Sequence, residues 1–356
     1  MLILTYEAFL KKDQRCAFFI EEPELHMHAG MLRQLMNFYL NETKHFYFFT
    51  THSNHLVDMV DESSDVMIQK FQKKPKDAEH PNGYFQIDQC DRDHDLLAQL
   101  GVRPSSVYLS NCTIWVEGIT DRLYIHRYMQ RYLQDLKETD LTKYETYQRF
   151  MPNYHYSFVE YQGGNLTHWN FDPETAQDCD KNGGLNADWV CSNALLIADG
   201  DIKGKSDRVN VLERQLGHRF CLLECKEIEN TLPTSLIVTV AKDIFSGMQK
   251  GTKKDADITG LDSITAAAHF FSENDGIGRL LDQQLNMQPI EVENKTTGLM
   301  ESELARCFAD KSGTINNKLE FCRKITTLMD SQAWQLTDSA KALCERIFQH
   351  IADQNP

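Results

Sequence analysis

Two acid-rich constellations in the chain could do chemistry. The first is Glu21-Glu22-Pro23-Glu24, followed further on by Thr50-Thr51-His52-Ser53. Paired carboxylates and a histidine delivered at neighbouring strand ends are what nucleotide hydrolysis needs. One acid holds Mg²⁺ through water, the next polarises the attacking water, and the histidine reaches the terminal phosphate. The second comprises Glu117 and Asp121, Asp199 and Asp201, and Glu227 and Glu229. Carboxylates are hard oxygen donors suited to Mg²⁺ or Mn²⁺. Several of them converging on two ions about 4 Å apart can support phosphodiester hydrolysis, one ion activating water and the other stabilising the leaving oxygen. Alternation along an extended strand predicts that Asp199 and Asp201 point the same way, and likewise Glu227 and Glu229. Asp121 lies one helical turn beyond Glu117, so both can face one spot. Mutual repulsion among these acids would need cations to offset it.

The elements that must position them are short apolar runs closed by acids or glycine. Cys16 to Ile20 and Phe46 to Phe49 read as buried parallel strands, with a helical repeat at Leu32, Leu35, Met36, Phe38, Tyr39 and Leu40 between them. Met27, Met31 and Met36 are expected in the core. Lys70 to Pro81 reads as a loop or hairpin turn. Ile114 to Val116, Tyr156 to Tyr161, Ala194 to Ala198 and Phe220 to Leu223 are four further strands, with a helix over Asp121 to Leu133. Polar residues gather at their ends, where open α/β sheets place ligands. Gly163 and Gly164 make a tight loop that is either an ordinary turn or a close approach to a phosphate. Lys203, Lys205 and Arg208 follow the D-G-D strand, as a solvated loop or a contact to the substrate backbone. The boundaries expected are 1–105, 106–245 and a helical 246–356.

Composition narrows the classes. At roughly 150 residues per domain, 356 residues suggest two or three domains, and 41% hydrophobic content is enough for real cores. Fifty-two acids against 37 Lys plus Arg leave a formal charge of −15, which argues against a broad basic surface and makes any nucleic-acid contact local or helped by bound cations. Ten scattered cysteines, of which Cys221 and Cys225 are the closest pair, read as reduced thiols and not as a disulfide framework or a zinc site. No apolar run approaches the roughly 20 residues that cross a bilayer, and the opening Met1 to Glu7 has no basic n-region. A soluble, cytoplasmic protein without membrane association is expected. His26 and His28 form an H-x-H too slight for a zinc assignment.

FFIEEPELHMH and FYFFTTHSNHLVD resemble the Walker B, D-loop and H-loop segment of the ABC-type ATPase in the OLD (overcoming lysogenization defect) family. The resemblance implies Glu21 as the metal-binding acid, Glu22 as the catalytic glutamate and His52 as the phosphate-reaching histidine. Ala29 stands where relatives usually have proline. There is no G-x-x-x-x-G-K-[ST] loop to cradle phosphates and no Ser/Gly-rich signature. The chain is therefore expected to begin inside the ATPase fold and not to hydrolyse ATP alone. ATP enters only if a missing amino-terminal segment or a partner chain completes that half.

The ordered set E-G-x-x-D, G-G-N, D-G-D and E-x-E-N, each after an apolar strand, resembles a TOPRIM domain. TIWVEGITDRLYI and ECKEIENTLP are similar to its OLD version. The absence of C-x-x-C disfavours a primase, and the remaining length leaves little room for a topoisomerase's tyrosine domain. The resemblance implies Glu117, Asp121, Asp199, Asp201, Glu227 and Glu229 as the metal-site residues. It assigns catalysis to Glu117, Asp199, Asp201 and Lys318, the last in GTINNKLEFCRKI, with Lys311 and Lys324 as neighbouring alternatives. The implied fold is α/β: a partial ABC-ATPase parallel sheet, then a TOPRIM (Rossmann-like) domain, then a helical carboxy-terminal region. The implied activity is a DNA endonuclease using two Mg²⁺ or Mn²⁺ ions, homodimeric or of higher order, acting in anti-phage defence. The alternative is a non-catalytic regulatory or assembly subunit that needs a partner supplying the ATPase half.

Overall fold

Strands and helices form where those apolar runs fall. The structure, a computed structural model, describes residues 2–25, 27, 29–57, 65–74, 83–89, 109–161, 193–204, 206–248, 256–264, 270–287, 290–293, 300–303 and 305–355. The chain opens with α1 (Leu2–Leu10), β1 (Ala17–Glu21), α2 (Ala29–Glu42), β2 (Phe46–Thr50) and the single-turn α3 (Asn54–Val57). β1 and β2 pair in parallel, with Ala17 opposite Phe46 and Glu21 opposite Thr50. Their inner face packs Ile20 against Leu32, Met36, Tyr39 and Leu56. On the other face Phe19 and Phe48 stack with ring centroids 4.7 Å apart and remain exposed. Met31, expected in the core, is exposed, because the helical period turns it away from Leu32 and Met36.

β3 (Gln69–Lys74) and β4 (Tyr84–Gln89) form an antiparallel hairpin. The Lys-rich stretch expected as a loop or hairpin turn from Lys70 thus begins inside the first strand of a hairpin. The rest of that stretch, 75–82, lies outside the described residues, as do Gly163, Gly164, His26 and His28.

A four-stranded parallel sheet comes next, in the order β6-β5-β7-β8. Its elements are β5 (Cys112–Val116), α4 (Ile119–Thr139), α5 (Leu141–Tyr147), β6 (Tyr156–Glu160), β7 (Ala194–Ala198), α6 (Ser206–Leu216) and β8 (Phe220–Leu222). The central strands β5 and β7 are buried at every position, which explains why their sequences are apolar apart from Thr113. Alternate residues serve opposite layers. Ile114, Val116, Leu195 and Ile197 join the core formed with Tyr124, Ile125 and Tyr128 of α4. Trp115, Leu196 and Ala198 pack with Leu212 and Leu216 of α6, and Val57 of α3 reaches this second layer. The chain runs from β5 outward to β6 and then returns to β7 on the other side of β5. The carboxyl ends of β5 and β7 therefore meet at a topological switch, the usual ligand crevice of such sheets.

The remaining elements are α7 (Thr234–Gly247), α8 (Ile277–Gln283), the antiparallel pair β9 (Ile290–Glu293) and β10 (Met300–Glu303), α9 (Lys318–Ser331) and α10 (Asp338–Gln354). The carboxy-terminal stretch, expected to be helical, thus also contains a β hairpin. Phe321, Cys322 and Ile325 of α9 and Leu343, Ile347 and Phe348 of α10 complete the core on the α4 side. Cys16, Cys221, Cys322 and Cys344 are free thiols. Among the described residues no helix is long and apolar enough to cross a membrane.

Candidate functional site

Glu117 comes directly after β5 and is followed by Gly118, the amino-terminal cap of α4. Asp121, in the first turn of α4, accepts the Gly118 N–H at 2.8 Å through Oδ2. This hydrogen bond from the cap N–H to the third helical residue is why the spacing E-G-x-x-D turns both acids to the carboxyl edge of the sheet. Asp199 comes directly after β7, and the chain then tightens into a 3₁₀ turn over Gly200–Gly204. Gly200 N–H donates to Cys225 O at 3.1 Å and Asp201 N–H to Lys226 O at 3.2 Å, so this turn lies directly on the loop after β8. A Cβ on Gly200 would stand 2.2 Å from Cys225 O, which makes glycine obligatory there. Glu227 and Glu229 belong to that loop and to a second 3₁₀ turn over Ile228–Thr231.

Neither acid pair therefore lies on an extended strand, and the alternation expected to align their side chains does not operate. The tight turns place them differently. Asp201 is exposed at the rim, whereas Glu227 and Glu229 are buried. Both glutamates meet Lys318, the first residue of α9: its Nζ lies 3.2 Å from Glu227 Oε2 and 3.1 Å from Glu229 Oε2. The two alternative lysines are elsewhere. Lys324 pairs with Asp243 at 2.6 Å, and Lys311 is exposed on the turn before α9. The side chains of Lys203, Lys205 and Arg208 lie outside the described residues.

The electrostatics tie these groups into one cluster. Burial raises the Glu117 carboxyl, and the charges of Asp121, Asp201 and Glu227 add to this while Lys318 opposes it. Burial raises Asp121 too, against the Gly118 hydrogen bond and Lys318, which lower it. Asp199 is pushed well above the ordinary carboxylate range by burial first, then by Asp121 and Glu229, with Lys318 opposing and Glu117 adding. Glu229 is pushed up to about 7 by burial, against the pull of Lys318, with Glu227 and Asp121 adding. Burial works to lower the Lys318 ammonium, but Glu229, Glu227 and Asp199 outweigh it, and its pKa is raised.

Comparison with known protein families, curated proteins and solved structures gives no match. The site must be judged on its own chemistry. Its donors are carboxylates, the type a hard divalent cation prefers. Glu229 is fully buried and its Oε1 has no hydrogen-bond partner, an arrangement that a cation would relieve. Among the described residues no three His, Cys, Asp or Glu side chains stand grouped as a metal-holding set, and Lys318 occupies the space between two of the acids. The residues fit a metal in type and in burial. Gathering them around an ion requires side-chain rotation.

At the first constellation, β1 and β2 bring Glu22 and His52 together, with His52 Nε2 3.8 Å from Glu22 Oε1. Glu21 is exposed at the end of β1. Glu22 has φ +41°, a left-handed conformation that a non-glycine residue adopts only under constraint. Glu24, not singled out from sequence, supplies part of that constraint on the neighbouring turn. Its Oε1 accepts the Thr51 hydroxyl at 2.7 Å and the His52 N–H at 2.8 Å. The third acid of E-E-P-E was the available signal. Thr314, which donates to Glu227, had none.

Proposed function

We propose that the chain is a metal-dependent nuclease that hydrolyses phosphodiester bonds in DNA, with a TOPRIM-like domain of the OLD type beside a partial ABC-type ATPase fold. The observation that supports this reading is Lys318 held 3.2 and 3.1 Å from the buried Glu227 and Glu229 at one edge of the parallel sheet, with Glu117, Asp121 and Asp199 raised by burial and by neighbouring carboxylates where those act. Desolvated acids that repel one another weaken a fold, and such clusters persist chiefly where function needs them.

When bound, Mg²⁺ or Mn²⁺ would supply an activated water and offset the charge on the leaving oxygen. Glu117, Asp121, Asp199, Asp201 and Glu229 are the residues that would hold it. Lys318, kept protonated by its acidic neighbours, sets a fixed cation beside the position where negative charge develops on a phosphoryl oxygen. Asp201 is the exposed acid of the set, open to an arriving substrate. Glu22 and His52 lack a phosphate-cradling loop in this chain, so ATP turnover depends on a complementary half.

The test is cleavage of supercoiled plasmid by the purified chain in Mg²⁺, Mn²⁺ or EDTA, without ATP, beside Asp199→Asn. Nicking should require metal and fall about a hundredfold or more in the variant, beyond the usual cost of losing an outer-shell partner. An assembly role without catalysis is the second reading. It is favoured by Phe19, Phe46 and Phe48, which stand exposed on one face of a parallel sheet, a kind of sheet normally covered on both faces. Plasmid left intact in both metals would sink the nuclease reading and leave the assembly role.

A further inference from the structure

The E-x-E pair after β8 is two equivalent acids by its spacing, but the two glutamates have different surroundings. Glu227 is buried with both oxygens engaged. Oε1 accepts the backbone N–H of Ile277, the first residue of α8, at 3.1 Å. Oε2 accepts the Thr314 hydroxyl at 2.9 Å and faces Lys318 Nζ at 3.2 Å. The approach to α8 is open only because residue 276 is glycine, where a Cβ would lie 2.5 Å from Glu227 Oε1. Thr314 is itself held in place. Asp310 Oδ1 accepts the N–H of Ser312 at 2.8 Å and of Thr314 at 3.1 Å, and Arg279 N–H donates to Gly313 O at 2.9 Å. Lys226, beside Glu227, reaches the same turn through Ser312 O at 2.5 Å. Glu229, by contrast, keeps Oε1 buried and unpartnered.

We propose that Glu227 is a positioning residue for Lys318 and not a metal ligand. It joins the β8 loop, α8 and the 310–314 turn, and so fixes the start of α9, where Lys318 sits. Turning Glu227 toward an ion would break buried hydrogen bonds that have no replacement, whereas Glu229 has an oxygen already desolvated and free. The role assigned to Lys318 and Glu229 rests on the nuclease reading above. The joint made by Glu227 does not.

Two measurements on the full chain separate these. Mn²⁺ affinity is measured by electron paramagnetic resonance, and the acylation rate of Lys318 by an amine-reactive ester is read by peptide mass spectrometry. Lys318 is one-third exposed and reachable by the ester. Glu229→Gln should weaken Mn²⁺ binding about tenfold or more, and Glu227→Gln by less than about threefold, since affinity follows the charge count of the ligands. Lys318 should be acylated several-fold faster in Glu227→Gln and in Thr314→Val, and at the wild-type rate in Thr314→Ser. Thr314→Val keeps the test alive if Glu227→Gln fails to fold. Equal loss of Mn²⁺ in both glutamate variants would overturn the proposal, as would unchanged acylation in both Glu227→Gln and Thr314→Val. A wild-type chain that binds no Mn²⁺ would sink the nuclease reading instead, and the acylation rates would still decide the role of Glu227.

Discussion

At the scale of single residues the acidic cluster is a balance between one buried lysine and carboxylates that repel each other. Lys318 is the only cation that offsets the raised carboxyls of Glu117, Asp121, Asp199 and Glu229 among the contributions resolved at each. Removing it leaves Glu227 and Glu229 buried beside one another without compensation. Lys318→Ala should lose about 2 kcal/mol, a figure reduced for the ammonium's partial exposure. Asp199→Asn removes a repelled charge and should gain about 1 kcal/mol. Urea unfolding in EDTA checks both, and shifts of the same sign would show that repulsion does not govern this site. The acids themselves were legible from sequence because each comes after an apolar run, and Asp121 because it lies one helical turn beyond Glu117. Lys318 was legible only through the resemblance, since lysines on a helix carry no signal of their own. The hold on Glu227 could not be read, because its partners Ile277 and Thr314 stand 50 and 87 residues away and meet it only in the folded chain.

At the scale of elements, all four strands of the parallel sheet were readable as short apolar runs, because burial on both faces leaves β5 and β7 apolar at every position but Thr113, whose hydroxyl accepts the Trp115 indole N–H. The turns beyond β7 and β8 were not legible. D-G-D and E-x-E look extended by alternation, yet each folds into a 3₁₀ turn once the two loops stack on one another. The contact depends on Gly200, whose missing side chain lets Cys225 O approach. Gly200→Ala should cost about 3 kcal/mol or more, because the atoms met are backbone and cannot rotate away. Gly118→Ala is the internal control. A Cβ there meets nothing within 4 Å, φ is −156°, and an alanine at a helix cap should cost about 1 kcal/mol or less. Thermal melts of the two variants decide this, and equal shifts would mean that the stacked turns do not limit stability. The β9–β10 hairpin was missed for a different reason: Ile290–Glu293 and Met300–Glu303 are short and half acidic, a composition that strand propensity disfavours.

At the scale of the whole molecule the chemistry and the fastening lie at opposite ends of the sheet. The acids crown the carboxyl ends of the strands, while α10 stitches the amino ends together. Asn111 before β5 donates to Asn355 at 2.7 Å, Asn355 donates to His155 O before β6 at 3.3 Å, and His350 donates to Asn193 O before β7 at 3.2 Å. Arg346 completes the series by donating to His218 O at 3.0 Å and to Phe220 O at the start of β8. His350 is the pH-sensitive stitch. Burial lowers its pKa to about 4, with Arg219 and His218 acting in the same direction and the Asn193 hydrogen bond and Asp353 against it. The folded state thus favours neutral imidazole, while the unfolded chain protonates near the ordinary value of about 6.5. Between those two values the unfolded state binds more protons. The contribution of His350 is therefore complete above about pH 6.5 and is lost as the pH falls toward about 4, by roughly 2 kcal/mol at about pH 5. Urea unfolding at about pH 7 and about pH 5 should show this loss in the wild-type chain and a much flatter response in His350→Gln, which keeps a donor for Asn193 and cannot take up a proton. An equal loss in both would place the acid sensitivity outside His350 and leave α10 a stitch indifferent to pH, and it would not fall on the raised carboxyls, whose protonation favours the folded state as the pH drops.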